Sequence, residues 1–189
     1  MKKYYVIIVL LSLMSGAYYL KARNLNLKKD ELERPLVKNK INVTSDAFKH
    51  HGRIPASYTC DGEDAFPSLQ FDQVPVDSKT LAIICDDPDA PKGLWVHWVA
   101  FNLPATITEV KASGDVLAHG GTVGTNSWDK QSWGGPCPPS GTHRYYFKVY
   151  ALDTKLTLDK TARNTDLLRA MEGHIIGYGE LMGLYAKKK

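Results

Sequence analysis

Between two apolar runs the chain places a stiff acidic corner, Cys85-Asp86-Asp87-Pro88-Asp89-Ala90-Pro91-Lys92-Gly93-Leu94-Trp95-Val96-His97-Trp98. Leu81 to Ile84 reads as a strand entering it, and a second strand leaves after Gly93 and runs through Phe101. Pro88 and Pro91 fix their own φ and hold the preceding residues, Asp87 and Ala90, in extended conformations. A corner stiffened in this way keeps Asp87 and Asp89 in place at little entropic cost on binding.

The rest of the chain follows the same style. Ile41, Val43 and Ser45 alternate with polar residues, Ser68 to Val74 is a short strand ended by Pro75, and Arg144 to Leu152 is a long one. On the strand after the corner, a period of two puts Trp95, His97, Val99 and Phe101 on one face and Val96, Trp98 and Ala100 on the other. Both faces are apolar, which predicts a strand buried on both sides. Asn164-Thr165-Asp166 opens a helix that Gly173 stops, and Leu181 to Ala186 suits a last strand. Many short strands, one clear helix and no βαβ alternation predict a mainly β protein, an antiparallel β-sandwich with few short helices.

The 189 residues divide into three stretches. Residues 1–22, with Met1-Lys2-Lys3 before the apolar run Tyr4 to Leu20, read as a signal peptide or a membrane anchor. Residues 23–40 are a polar linker broken by Pro35, and residues 41–189 are the folded domain. This places the domain outside the cytoplasm, periplasmic or anchored in a bacterial inner membrane, with the N-terminal segment in contact with membrane. The net charge of +4 comes largely from lysines near the two ends, so the domain has no basic stripe for nucleic acid. The cysteines are Cys60, Cys85 and Cys137, an odd count without zinc spacing. Free thiols are the expectation, and a Cys60–Cys137 bridge is open to an exported chain.

Two distant segments each deliver a histidine from a strand that follows a proline-rich loop. One is the corner before His97. The other is Gly134-Gly135-Pro136-Cys137-Pro138-Pro139-Ser140-Gly141 before His143. Placed at one end of a sheet, Asp87, Asp89, His97, His143 and Tyr145 converge on a pocket. Imidazole N–H and phenol O–H groups donate to an oxyanion, an Asp fixes a histidine tautomer, and a second carboxylate is kept for an ammonium. Taken singly, a histidine on an apolar strand is more often a satisfied core residue, and Asp-Pro more often plain turn chemistry. It is the combination that points to a site. A hydrolytic triad of His143 or His97 with Asp87 and Ser127 or Ser132 is a weaker reading, without a G-x-S-x-G elbow. A metal held by two His and one Asp lacks a local ligand pair, and Cys137 as nucleophile sits among prolines.

Asp87-Pro88-Asp89-Ala90-Pro91 with Trp95-Val96-His97-Trp98 resembles the first signature of the phosphatidylethanolamine-binding proteins. Gly135-Pro136-Cys137-Pro138-Pro139-Ser140-Gly141-Thr142-His143-Arg144-Tyr145 resembles the second. Tyr58 to Gly62 and Ala170 to His174 are similar to pieces of the bacterial branch, the Raf kinase inhibitor-like proteins. The resemblance covers about Ile41 to Tyr185. It implies a β-sandwich with a small anion pocket for phosphate-like groups and phospholipid head groups, built on Asp87, His97 and His143 with Asp89 and Tyr145 nearby. Pro136, Pro138 and Gly141 shape its rim, with Trp133 at the mouth where the family has a tyrosine. It implies binding rather than catalysis, with no catalytic residue, no metal and no cofactor. The partners it implies are a small anionic or phosphorylated ligand, or a protein such as a protease or kinase. An exported chain turns that expectation away from a cytosolic kinase and toward an envelope or secreted protease. Three functions are therefore carried forward: a non-enzymatic anion-binding module, a protein-interaction module that inhibits a protease or kinase, and a hydrolase using the His/Asp pair.

Overall fold

The computed structural model describes Pro35 and residues 37–187. The apolar stretch 1–22 and most of the linker lie outside the described residues. Among these, nine strands form two sheets. The strands are β1 (Asn39–Lys40), β2 (Asn42–Thr44), β3 (Leu69–Asp72), β4 (Thr80–Asp87), β5 (Trp95–Pro104), β6 (Glu109–Val110), β7 (Thr122–Val123), β8 (His143–Leu152) and β9 (Ile175–Tyr185). Two short helices are α1 (Asp115–Ala118) and α2 (Asn164–Met171). The large sheet runs β1-β9-β8-β4-β5-β7 and the small one β2-β3-β6. Pairing is antiparallel except where β1 joins β9 in parallel. The domain thus begins slightly before Ile41, with the end of the expected linker serving as an edge strand.

The main core lies between the sheets. Leu81, Ile83 and Cys85 of β4, Trp98 and Ala100 of β5, and Tyr145, Phe147 and Val149 of β8 face Val43, Leu69, Phe71 and Val110 of the small sheet. The opposite face of the large sheet is apolar as well. Ala82, Ile84, Val99, Phe101 and Tyr150 pack there against Leu167 and Met171 of α2. A central strand covered on both sides reads as a continuous apolar run, as the sequence of β5 does.

Two irregularities decide where side chains point. The β4–β5 register passes from Cys85↔Trp98 to Asp86↔Val96, so β5 carries one extra residue at His97. Such a bulge turns two successive side chains to the same side. His97 therefore joins Trp98 on the inter-sheet face, where its ring meets Tyr145 at 5.2 Å, while Val96 packs with Val99 and Phe101. Strict alternation, which placed His97 with Val99 and Phe101, fails at this point. A second register shift lies near Asn102, whose φ is 60° and whose amide bonds both ways to the Leu156 backbone at 2.8 and 2.9 Å.

The last strand is longer than the sequence predicts. β9 contains Gly177, Gly179 and Gly183, which weaken a strand signal. Their lack of a side chain is what lets the N-terminal stretches cross it. A Cβ at Gly179 would stand 2.1 Å from the Ile41 carbonyl oxygen, and one at Gly183 2.6 Å from the Ile54 side chain. The outer edge of β9 is paired by β1 at one end and by Gly52 to Ile54 at the other, so it is not left open for another chain.

Candidate functional site

One end of the large sheet collects the end of β4, the start of β5 and the start of β8. Asp87 pairs with Trp95, and Asp86 with Tyr146. The three carboxylates of the acidic corner each end on a different side chain of β8. Asp86 points to the α2 side of the sheet and pairs with Lys148 at 2.7 Å. Asp87, one residue on, points to the inter-sheet side and accepts from His143 Nδ1 at 2.7 Å, with both groups buried. Asp89 accepts from the Arg144 backbone N–H at 2.9 Å, from Nε at 2.8 Å and from Nη2 at 2.7 Å. Asp89 is thus occupied by Arg144 rather than kept for a ligand ammonium. Although partial burial works against its charge, the bonds from Arg144 hold its carboxyl below the usual range. The Asp89 N–H closes the turn by donating to Asp87 Oδ1 at 2.8 Å.

A carboxylate can only accept from Nδ1, so His143 carries a proton there and the bond leaves out Nε2. His97 is held in the same sense by another group. Its Nδ1 donates to the Gly134 carbonyl at 2.7 Å. Burial pushes the His97 pKa down, against the pull of the Gly134 bond and of the Asp87 charge. Both rings are therefore fixed by Nδ1. The simple N–H donation expected from sequence requires a second proton, on Nε2.

Tyr145 is fully buried beside them. Its hydroxyl has no hydrogen-bond partner of ordinary geometry, and burial, followed by the Asp87 charge, pushes its pKa far up. The structure thus brings Asp87, His97, His143 and Tyr145 into electrostatic reach of one another, with Asp89 one turn residue away. The His97 ring meets that of Trp128 at 5.1 Å and that of Trp133 at 6.4 Å. Trp133 also stacks on Phe147 at 5.9 Å, which joins the expected mouth residue to the main core.

The loop from Asn126 to Gly141 forms the other wall. Asn126, 2% exposed, accepts at Oδ1 from the N–H groups of Trp128 and Lys130 and donates to the Ser132 carbonyl at 2.9 Å. Ser127 accepts from the Val96 N–H at 2.9 Å, so its hydroxyl serves the β5 edge. Pro136 and Pro138 are buried, and Gly141 takes a φ of 72° that a side chain would resist. Cys60 and Cys137 form a disulfide with a Cα–Cα distance of 5.4 Å, in place of the expected free thiols, and Cys85 is buried and free. The bridge ties this loop to the Tyr58–Asp64 segment. There Gly135 N–H donates to Asp64 Oδ1 at 2.7 Å and Cys60 N–H to the Pro136 carbonyl at 3.2 Å. Sequence reasoning named the loop but passed over Asn126, the Gly134 carbonyl and Arg144. The Asn126-Ser127-Trp128 turn signal and the Arg144 beside His143 were the available hints.

A two-layer β-sandwich thus carries a histidine–carboxylate cluster at one end of its large sheet. The sequence profile described as phosphatidylethanolamine-binding protein matches residues 44–186. The chain belongs to this family, whose members are in general ligand-binding proteins rather than catalysts. A UPF0098 protein of Methanothermobacter thermautotrophicus is 48% identical over 150 residues, spanning 78% of this chain and 99% of its own. A crystal structure from Chlamydia trachomatis, described as a phosphatidylethanolamine-binding protein homolog, superposes with a TM-score of 0.75 at 38% identity. It covers 80% of this chain and 100% of its own. Escherichia coli YbcL, described as a new member of the mammalian family, gives 0.73 at 32% identity over 78% of this chain and 99% of its own.

Proposed function

We propose that the domain is a non-enzymatic binding module whose site takes a small anion, either phosphate, a phosphorylated metabolite or a phospholipid head group. The observation that carries this is the pair of buried imidazoles fixed by Nδ1, one on Asp87 and one on the Gly134 carbonyl. With Nδ1 committed, Nε2 of each ring is left for the ligand. A neutral ring accepts there and a protonated ring donates. A singly protonated phosphate can give its O–H to one neutral ring, but it receives from the other only once that ring has taken up a proton on Nε2. Anion binding is thus coupled to proton uptake. Asp87 orients His143 and balances its charge when protonated, and Tyr145 adds a neutral donor.

Calorimetric titration of the purified protein with phosphate and phosphoethanolamine at pH 6 and pH 8 tests the reading, since these values straddle the ordinary histidine pKa of about 6.5. Tighter binding at pH 6, abolished in a folded His143→Ala variant, is the expected result. No heat with either ligand at either pH overturns it. An exposed disulfide favours an oxidising compartment, in keeping with an exported domain.

A second reading, a protein-interaction module that inhibits an envelope or secreted protease or kinase, draws on the exposed Leu94 and Trp128 close to the site. Aromatic side chains beside a rigid polar cluster suit a binding edge. Recovery of the same partner from envelope extract with and without His143→Ala would favour that surface over the pocket.

A further inference from the structure

We infer that the Cys60–Cys137 disulfide is a thiol–disulfide exchange site, and that its state controls the wall of the anion site. Both cysteines are exposed, although Thr59, Pro136 and Pro138 around them are buried, so the sulfurs face solvent from a packed base. The bridge joins positions 77 residues apart and lies three residues beyond Gly134, whose carbonyl fixes His97. The walls meet closely here. A Cβ on Gly135 would stand 2.2 Å from Asp64 Oδ1 and 2.7 Å from the Tyr58 carbonyl oxygen. Such contact is kept by the bridge and by two hydrogen bonds, Gly135 N–H to Asp64 and Cys60 N–H to Pro136. Cys85 is fully buried in the core and burial pushes its thiol pKa well up, so it does not serve as an internal attacking thiol.

The reductant is therefore an external dithiol. Its thiolate attacks one sulfur of the bridge, the Cys60–Cys137 bond breaks, and the other sulfur leaves as a thiolate. The second thiol of the reductant then attacks the mixed disulfide and releases the protein. Two electrons and two protons pass to Cys60 and Cys137, and the dithiol departs as a disulfide. With the bridge open, the Gly134–Gly141 loop loses its covalent tie and is held by hydrogen bonds and by the packing of Pro136 and Pro138. The Gly134 carbonyl loses its fixed place, and His97 loses the partner that sets its tautomer. The exchange chemistry stands on the bridge itself, whereas its effect on ligand binding rests on the anion-site reading above.

The test treats the full-length protein with dithiothreitol under native conditions, traps thiols with iodoacetamide and titrates with inorganic phosphate. Alkylation of Cys60 and Cys137 with Cys85 unmodified is expected. Faster hydrogen exchange at the Gly135 and Cys60 amides should accompany it, together with a fall in phosphate affinity of about tenfold, the loss of one good hydrogen bond. Reoxidation restores the affinity, and a Cys60→Ser/Cys137→Ser variant should behave as the reduced protein and ignore dithiothreitol. A bridge that opens only when Cys85 is alkylated as well overturns the proposal, because reduction then follows unfolding. So does a reduced protein with unchanged amide protection. If the oxidised protein binds no phosphate, the anion reading fails, while the alkylation and exchange readouts still decide the bridge.

Discussion

Replacing Asp87 by Asn tests the site most directly because it changes charge without changing shape. Asp87 accepts two bonds, from His143 Nδ1 at 2.7 Å and from the Asp89 N–H at 2.8 Å. An amide has one oxygen, so it can keep one of these donors and must turn its NH2 toward the other. If the oxygen stays on Asp89, the NH2 faces His143 and forces the ring proton to Nε2. If it stays on His143, the turn N–H is left facing a donor. In either case a hydrogen bond to a buried charged group is lost, costing about 1.5–3 kcal/mol. Asn fills the same volume, so no cavity cost is added. For a domain of this size a loss of about 2 kcal/mol lowers Tm by about 4–8 °C. The binding effect should be the larger one, because an imidazolium at His143 no longer has a counter-charge. Phosphate affinity at pH 6 should fall about tenfold or more, the equivalent of at least about 1.4 kcal/mol. Calorimetry in two buffers of different ionisation heat reads the proton count directly. The native protein should take up a proton on binding at pH 8 and the variant much less. A folded Asp87→Asn protein with native affinity and native proton uptake would refute the role assigned to the His143–Asp87 pair.

Other perturbations separate scaffold from site. Arg144→Lys keeps the charge but loses the fork on Asp89. Because that pair is partly exposed, stability should drop by about 1 kcal/mol or less in urea unfolding, while phosphate affinity falls as the Asp87 turn loosens. Gly179→Ala drives a methyl into the Ile41 carbonyl and should cost about 3 kcal/mol or more, seen as a lower urea midpoint with unchanged slope. Burial depresses the His97 pKa, so the unfolded chain binds a proton there at higher pH than the folded one does. This contribution is fully present above about pH 6.5, and stability should fall as the pH drops through that value toward the folded pKa. His97→Gln should flatten that part of the stability curve measured without phosphate, and an unchanged slope would count against the buried neutral ring.

The apolar alternation, the prolines and the helix signals at Asn164 were enough to read the sandwich from sequence, because each reports a local preference that the fold respects. His97 was legible as a site residue but its facing was not, since a bulge is set by the partner strand and leaves no mark on the alternation of β5. β9 was half hidden for a related reason. Gly177, Gly179 and Gly183 look like breaks along the chain, yet they are space left for Pro75, Ile41 and Ile54, which approach from elsewhere. The Cys60–Cys137 pairing and the Gly134 carbonyl on His97 are likewise contacts across long sequence distances. The ties from Asp86, Asp87 and Asp89 to β8 were closer to view, because β8 offers a histidine on one side and an arginine and a lysine on the other, but the pairing needed the register.

The position of β1 has a practical consequence for anyone attaching this protein to something else. Asn39 pairs with Gly177, which lies opposite Ala151, whereas Tyr185 lies opposite His143. Along β8 the eight steps from His143 to Ala151 span about 26 Å. A support, dye or fusion partner joined ahead of Val37 would therefore hold the domain by its far end and leave the histidine end facing outward. The same cargo joined after Lys187 would hang beside the histidine end and crowd it.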